Sequence, residues 1–308
     1  MGNNLQQGHL WINNFTTSSG YTILQYNRLH KEEHGMTEQK KLKWRLLSWL
    51  FRTVGRTSGG IALGYHYGFD SGEMLDYVYE NRVRGRWLVG RVIDRIYLNA
   101  IGWRAIRTRK ELLKQLMLRE LESHRVADQP AVLLDVASGP GRYLLEVCQM
   151  LKDKGQDQEL TVICRDLDSK GLELGQQRAQ RLGFTDIHWE VGDACDAASL
   201  ATVQSHPDIV VVSGLYELLD EDLIRASMQG IAEIVRPGGR LIFTTQVRHP
   251  QLELIANVLV NREGKPWIMT CRSAETMEGW AQDAGFTVVD SQLEPLGLFA
   301  VTVTEKLD

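Results

Sequence analysis

Two glycines and two acids stand where apolar runs of the chain end, and their positions predict a ligand site. Gly139 and Gly141 follow the first run, Asp166 follows the second and Asp193 follows the third. Glycines let backbone N–H groups come close to a ligand, and the start of the helix after them favours negative charge. Ligands of open α/β sheets bind at the carboxyl ends of the strands, so we expect these residues to meet at one edge.

Two other interpretations of the glycine loop explain less. An ordinary turn between a strand and a helix would account for the loop, but not for the acids after the next two runs. A dinucleotide site needs the pattern Gly-x-Gly-x-x-Gly, and Leu144 stands at the position of the third glycine. Such a site would also leave Asp193 unexplained.

The elements that would position these residues alternate between strand and helix from Val132 onward. This alternation predicts an α/β fold with a Rossmann-like, doubly wound and mostly parallel sheet of seven strands, ending in an antiparallel strand. Helices are expected at 86–99, 103–123, 222–235 and 273–284, among others. The predicted strands cover residues 132–135, 160–165, 187–191, 208–212, 240–245, 286–291 and 298–304.

Together these motifs resemble those of the class I S-adenosylmethionine-dependent methyltransferases over residues 131–308. Segment 134–141 is similar to the family's first motif, although Ala137 stands where the family usually has its first glycine. The resemblance implies S-adenosylmethionine as the cofactor, with Asp166 on the ribose hydroxyls and Asp193 on the adenine amino group. The cofactor-binding residues that it implies are Asp135, Ala137, Ser138, Gly139, Gly141, Asp166, Leu167, Asp193, Ala194 and Ser213.

A narrower resemblance extends to about residues 60–308. Segments 71–79, 94–104 and 266–269 are similar to those of a bacterial group of methyltransferases, some of which are fused to α/β-hydrolase domains. This second resemblance implies no particular substrate.

Catalytic candidates follow the fourth and fifth strands, where the resemblance places the methyl acceptor. Tyr216, Glu217 and His249 could act as a base if the acceptor must lose a proton. Glu217 could equally cap the following helix, and His249 could simply end a loop. We find no set of side chains with metal-ligand spacing, so no metal is expected.

The residues before the sheet divide into several predicted parts. Met36 opens a segment that resembles a natural translation start, and a capping-box spacing from Asp70 to Glu73 predicts the start of a helix. The expected parts are a disordered segment 1–35, a basic amphipathic segment 36–58, a helical lid or substrate region 59–129, and the cofactor-binding domain 130–308.

Charge is distributed unevenly along the chain, although the net charge is only -4. Residues 40–119 carry 17 Lys or Arg against 6 Asp or Glu, whereas acids outnumber bases after residue 119. Residues 40–56 mix basic charge with Trp, Leu and Phe, which suits a helix on an anionic membrane surface; docking of this helix on the main domain is the alternative. No specific nucleic-acid partner is expected, because the aromatic residues are interleaved with leucine.

These features also lead to expectations about the cellular compartment and the function of the protein. The four cysteines show no paired spacing, no signal-peptide pattern is found, and no apolar run approaches the roughly 20 residues of a membrane span. We therefore expect a cytoplasmic protein, peripheral on the inner membrane if the basic segment binds lipid. The predicted activity is methyl transfer to an O or N acceptor on a small or amphiphilic, lipid-like substrate. A non-catalytic binding module of the same fold and an RNA or protein methyltransferase are the alternatives.

Overall fold

The computed structural model describes residues 38–123, 130–156 and 160–307. The predicted disorder of residues 1–35 and the candidate start at Met36 lie outside these ranges. The chain divides into two compact units, one ending at Leu47 and one running from Ser48 to the end. The described part of the first unit is helical, and it exposes Leu42 and Leu46 while Trp44 is buried.

The sheet of the second unit has seven strands in the order β3-β2-β1-β4-β5-β7-β6. Neighbours among β1 to β5 pair in parallel, and β7 is antiparallel to both β5 and β6. The predicted Rossmann-like sheet is therefore confirmed, with strand bounds within two residues of those expected. The strands are β1 Ala131–Asp135, β2 Leu160–Asp166, β3 Ile187–Val191, β4 Ile209–Val212, β5 Arg240–Gln246, β6 Phe286–Leu293 and β7 Phe299–Lys306.

Helices precede the sheet and alternate with its strands, as the apolar spacing predicts. The first helices and a 3-10 turn at Val54–Thr57 form what we call the helical region, residues 48–123. The helices are α1 Glu38–Arg52, α2 Gly59–Tyr67, α3 Gly72–Glu80, α4 Trp87–Leu98, α5 Ile101–Ser123, α6 Arg142–Asp153, α7 Ser169–Arg181, α8 Ala197–Leu200, α9 Glu221–Ile234, α10 Leu252–Val258 and α11 Ala274–Asp283. Within the described ranges, none of these helices combines the length and apolarity that crossing a membrane requires.

The main core lies between the sheet and the long helices α5 and α6. Leu113 and Met117 of α5 and Leu144 of α6 pack with Leu133 and Val211 of the central strands, and all five are fully buried. Burying such side chains stabilises the fold by roughly 1.5–3 kcal/mol each. The long helix α5 is thereby fixed on the sheet, and it carries the helical region with it.

A buried carboxylate organises the helical region. Asp94 on α4 is fully buried and accepts hydrogen bonds from the Ser58 hydroxyl at 2.6 Å, the Gly60 N–H at 2.8 Å, the Tyr77 hydroxyl at 2.5 Å and the Arg84 N–H at 2.8 Å. A buried charge is tolerated only when hydrogen bonds satisfy it, and here four donors do so. Asp94 therefore joins α4 to α2, to α3 and to the turn between α3 and α4.

A second polar cluster ties the helical region to the helices of the sheet. Asp76 of α3 accepts hydrogen bonds from Arg142 at the start of α6 and from both terminal nitrogens of Arg178 on α7, at 2.7 and 2.6 Å. Hydrogen bonding to these arginines holds the pKa of the Asp76 carboxyl below its usual range, although burial acts in the opposite direction. The start of α3 is thus held over the end of the sheet that carries the glycine loop.

The start of α3 differs from the prediction. The capping residue is Ser71, whose hydroxyl accepts the Met74 N–H at 3.2 Å, and not Asp70. The Asp70 carboxylate instead accepts the Arg262 N–H at 2.7 Å. Serine and aspartate are equally good N-caps, so the sequence spacing alone could not distinguish them.

Candidate functional site

The strand register brings the predicted ligand-binding residues to one edge of the sheet. Asp135, the last residue of β1, pairs with Cys164 of β2 and with Val211 of β4. Asp166, the last residue of β2, pairs with Val191, the last residue of β3. The loops after β1, β2 and β3 therefore leave the sheet side by side.

The glycine loop has the backbone conformation that glycine favours. Gly139 has φ 51° and Gly141 has φ 62°, both in the left-handed region. The Gly139 N–H donates to one oxygen of the Asp166 carboxylate at 2.8 Å, and the Asp168 N–H donates to the other oxygen at 2.8 Å. Each carboxylate oxygen has a second lone pair, so Asp166 can still accept hydrogen bonds from ligand hydroxyls.

The neighbouring loop adds a second acid and two exposed apolar side chains. Asp193 follows β3 and accepts the Cys195 N–H at 2.8 Å, and it is followed by the buried Ala194. Leu167 beside Asp166 is 64% exposed, and Val191 at the end of β3 is 62% exposed. Two acids flanked by exposed apolar surface fit a nucleoside, whose base is apolar on its faces and polar at its edges. The residues implied for S-adenosylmethionine therefore fit that cofactor.

The alanine in the first motif causes no backbone strain. Outside glycine, positive φ angles occur in the described residues only at Asn81 and Trp87, so the backbone at Ala137 does not require glycine. Ser138 is buried and donates its N–H to the Arg165 carbonyl at 3.0 Å. The departure from the family pattern at Ala137 is thus compatible with an intact loop.

Asp135 and Ser213 lie beneath the loops and not on their surface. Asp135 is fully buried, and its carboxyl is hydrogen-bonded to the Tyr143 hydroxyl. Burial raises the pKa of the Asp135 carboxyl to about 7. Ser213 is also buried, directly before Gly214. Asp135 therefore supports the glycine loop from below.

The raised pKa of Asp135 predicts a pH-dependent stability. Because the folded-state pKa is above the unfolded value, the unfolded chain loses this proton first as pH rises, and stability falls between about pH 4 and pH 7. Asp135→Asn removes this titration while keeping a polar partner for Tyr143. At about 1.4 kcal/mol per pKa unit, the free energy of unfolding of the native protein relative to Asp135→Asn should fall by about 2–3 kcal/mol from pH 5 to pH 8. Urea unfolding at both pH values measures this difference, and parallel curves would show that Asp135 is ionised in both states.

A cavity of about 380 Å³ lies between the helical region and the ends of β4 and β5. We call it the apolar cavity, because most of its lining is aliphatic or aromatic. Trp103 and Trp267 stack on its wall, with ring centroids 6.0 Å apart. Its floor contains Gly214 and Glu217 after β4, Gln246 at the end of β5 and His249 in the loop that follows β5.

A buried ion pair lies in the floor of the apolar cavity. Arg109 of α5 is 1% exposed, and its guanidinium donates to Glu217 Oε1 at 3.2 Å. The same guanidinium lies 4.6 Å from the centroid of the Phe299 ring. The pair therefore joins α5 to the turn after β4, directly beside the cavity.

Besides Nε of Arg109, three polar atoms of the cavity lining have no hydrogen-bond partner among the described residues. They are the acceptors Glu217 Oε2 and Gln246 Oε1 and the donor Trp267 Nε1. Glu217 is 8% exposed and Gln246 is 2% exposed. Because buried polar atoms are nearly always paired, such atoms beside a cavity indicate where a ligand bearing O–H or N–H groups would bind.

His249 lines the apolar cavity as a neutral side chain. Burial lowers the pKa of the His249 imidazole to about 4. Its Nδ1 accepts the Gln251 N–H at 3.1 Å, so the proton of the neutral ring is on Nε2. At neutral pH His249 can therefore donate a hydrogen bond from Nε2, and its Nδ1 is already occupied.

Tyr216, a candidate after β4, does not reach the cavity lining, whereas its neighbour Glu217 does. Tyr216 is 1% exposed, and its hydroxyl lies 3.3 Å from the Ser227 hydroxyl. Its ring packs at 6.1 Å from that of Phe243 in the core. Glu217 does not cap α9, because the Asp220 side chain accepts the Leu223 N–H at the start of that helix. We therefore correct the assignment of Tyr216 as a residue that contacts a methyl acceptor.

Arg109, Gln246 and Trp267 belong to the site but are not among the residues predicted from the sequence. A signal exists for Arg109, because it occupies an apolar position of α5 between Ile106 and Leu113. An arginine at such a position must find a partner in the interior.

The family described as "Putative methyltransferase" matches residues 12–306. The uncharacterized protein YnbC of Escherichia coli K12 is 36% identical over 270 residues, which cover 87% of this chain and 45% of YnbC. The chain thus spans less than half the length of this curated relative.

Solved structures share the fold at low sequence identity. A Bordetella parapertussis structure, named as a possible exported protein, has a TM-score of 0.61 at 18% identity, covering 77% of this chain and 80% of that one. The magnesium protoporphyrin IX methyltransferase of Synechocystis PCC 6803, solved with bound SAH, has a TM-score of 0.55 at 13% identity, covering 78% and 97%. At these identities the similarity establishes the fold alone.

Proposed function

Because the chain belongs to this methyltransferase family, we propose that it is a class I S-adenosylmethionine-dependent methyltransferase that methylates an apolar or amphiphilic small molecule held in the apolar cavity. The position of the cavity carries this proposal. Gly214 in its floor directly follows Ser213, which belongs to the implied cofactor-binding residues. An acceptor in the cavity would therefore lie beside the cofactor edge.

The start of α3 connects the cavity with the glycine loop. Asp70 lines the cavity, and two residues later Gly72 packs against the loop. A side chain at Gly72 would put its Cβ 2.9 Å from Pro140 and 3.7 Å from the Gly139 Cα. The same segment thus forms part of the acceptor wall and covers the loop implied to hold the cofactor.

The lining of the cavity supports an apolar or amphiphilic molecule as the methyl acceptor. Ligand sites of this size are mostly apolar, with a few polar groups that fix the orientation of the ligand. Leu75, Ile106 and Leu254 would contact an aliphatic or ring portion, while Glu217 and Gln246 would bind a polar group. An exposed RNA or protein segment suits such a cavity less well, which makes that alternative weaker.

The hydrogen-bond acceptors of the cavity that have no partner support an O or N atom of the substrate as the site of methylation. S-adenosylmethionine supplies the methyl group. Glu217 Oε2 and Gln246 Oε1 would accept a hydrogen bond from the O–H or N–H group of the substrate and orient the lone pair of that O or N atom toward the methyl group. Holding the reacting atoms in line accounts for roughly 7–11 kcal/mol of a barrier of this kind. Glu217 would act mainly by positioning, because Arg109 stabilises its charge.

Filling the apolar cavity should abolish methylation without affecting the cofactor. Ala100 lines the cavity, and Ala100→Trp adds an indole there. We expect methylation to fall at least tenfold, since overpacking excludes the acceptor, while S-adenosylmethionine still binds. Leu182→Trp, at an exposed position after α7, is the matched control. Full methylation by Ala100→Trp, measured as label transferred from S-adenosylmethionine, would exclude this cavity as the acceptor site.

A further inference from the structure

We propose that the exposed apolar face of α4, with the end of α1 and the turn after it, docks on the surface of a membrane that contains anionic lipid. This surface, which we call the docking surface, consists of Trp49, Leu50, Val54 and the exposed side chains of residues 86–96. All of these residues belong to the second unit of the chain.

Several large apolar side chains of α4 are exposed to solvent. Leu88 is 78% exposed, Val92 is 51% exposed and Ile96 is 69% exposed, and their spacing of four residues puts them in one stripe along the helix. Trp87 beside them is 76% exposed and has φ 53°, which is rare for a bulky residue. A contiguous exposed apolar patch of this kind marks an interaction site.

The charge around this stripe favours anionic lipid. Arg82, Arg86, Arg91 and Arg95 are exposed, and none of them forms an ion pair within the described part of the chain. The acid of α4, Asp94, is on the buried face and is satisfied by four hydrogen bonds. An exposed helix face of Trp, Leu, Val, Ile and Arg is typical of helices that lie in the headgroup layer.

A second copy of the chain is a poorer occupant of this surface. A two-fold dimer brings the same patch of each subunit together. It would therefore place the arginines of α4 opposite one another with no exposed acid of that helix between them. Lipid phosphates neutralise such charge, and each arginine near an anionic surface raises the affinity for the membrane by about tenfold or less.

The docking surface also surrounds an opening of the apolar cavity. Leu50, Val54 and Ile96 line the cavity, and they are 44%, 45% and 69% exposed. Helix α4 lies tightly against the turn at residues 54–57, since a Cβ at Gly90 would be 2.3 Å from the Thr57 carbonyl oxygen. The apolar rim is therefore continuous from the end of α1 to α4.

An acceptor could enter the cavity from the membrane without crossing water. This step rests on the proposed function, whereas docking itself rests only on the exposed residues and their charge. From the sequence, membrane contact is expected in residues 40–56 and α4 belongs to the helical lid or substrate region; the present proposal extends membrane contact to α4.

Flotation of the full chain with vesicles tests the proposal. We expect binding to phosphatidylglycerol–phosphatidylcholine vesicles, weak binding to phosphatidylcholine alone, and loss of binding at high salt. Leu88→Glu/Val92→Glu should lower the bound-to-free ratio at least tenfold, because charges enter the apolar layer. Val289→Glu/Leu293→Glu is the matched control, since it changes two exposed apolar residues of β6 and should leave binding intact.

Two further measurements separate docking from catalysis and from self-association. Calorimetry with S-adenosylmethionine should give the same affinity for Leu88→Glu/Val92→Glu as for the native chain, which shows that the variant is folded. Equal vesicle binding by this variant and the native chain would overturn the proposal. It would also be overturned if neither protein bound vesicles and if the native chain were a dimer that the variant converts to a monomer. Vesicle binding by a chain that transfers no label to the organic fraction of a bacterial extract would refute the proposed acceptor but leave docking established.

Discussion

Asp166→Ala is expected to lower the affinity for S-adenosylmethionine by about 100-fold. The variant removes the carboxylate implied to bind the ribose hydroxyls, and each hydrogen bond to a charged group contributes about 1.5–3 kcal/mol. It also removes the acceptor of the Gly139 N–H, so the glycine loop loses one of its supports. Isothermal calorimetry with S-adenosylmethionine and with S-adenosylhomocysteine measures the change.

Two comparison variants make the Asp166 result specific. Asp166→Asn keeps an acceptor for Gly139 but lacks the charge, so its affinity should lie between those of the native chain and Asp166→Ala. Asp186→Ala changes an exposed acid directly before β3 and should bind the cofactor normally. Unchanged binding by Asp166→Ala would mean that this edge does not hold the ribose.

Arg109→Leu is expected to lower the free energy of unfolding by about 3–5 kcal/mol, because it leaves the Glu217 carboxylate buried without its cation. Both side chains are almost fully buried, and the guanidinium also packs on the Phe299 ring. Urea denaturation of the native chain and the variant gives the difference.

The double variant Arg109→Leu/Glu217→Gln tests whether the buried charge is the cause. It should regain much of the lost stability, because no uncompensated charge remains. Arg225→Leu is the exposed counterpart, since Arg225 pairs with Glu221 and Asp283 at the surface, and it should leave the free energy of unfolding almost unchanged. Additive losses in the double variant would show that packing of Arg109, and not its charge, stabilises this region.

The fold could be predicted from the sequence because its signals are local. The strand at 209–212 is a continuous apolar run, as a buried parallel strand requires, and the strand at 160–166 has an apolar centre at 162–164. Each is followed by a loop and a helix. The right-handed connection rule then leaves few arrangements. The strand-end residues of the cofactor edge follow directly from this topology, since parallel strands end on the same side.

The acceptor side could not be predicted in the same way, because its residues come from distant segments. The apolar cavity combines Leu50, Ile96, Arg109, Glu217 and Trp267, which no sequence period relates. Tyr216 and Glu217 are adjacent after β4, yet the turn there buries Tyr216 in the core and directs Glu217 to the cavity. Which of two neighbours faces the site depends on the conformation of that turn.

Helix α4 shows a second limit of sequence analysis. Its apolar residues occur on more than one face, and the pattern alone cannot show which face is buried. The structure buries Gly90, Asp94, Tyr97 and Leu98, because Asp94 needs the donors of α2 and α3, and Trp87, Leu88 and Val92 consequently face outward. A buried polar group thus determines which apolar residues remain exposed.

The most direct test of the central claim is incubation of the purified chain with methyl-labelled S-adenosylmethionine and a bacterial extract, followed by separation of the organic, aqueous and macromolecular fractions. We predict label in the organic fraction, with at least a tenfold loss for Ala100→Trp and no loss for Leu182→Trp. Label in protein or nucleic acid, or no transfer by a chain that binds the cofactor, would contradict methylation of an apolar or amphiphilic small molecule.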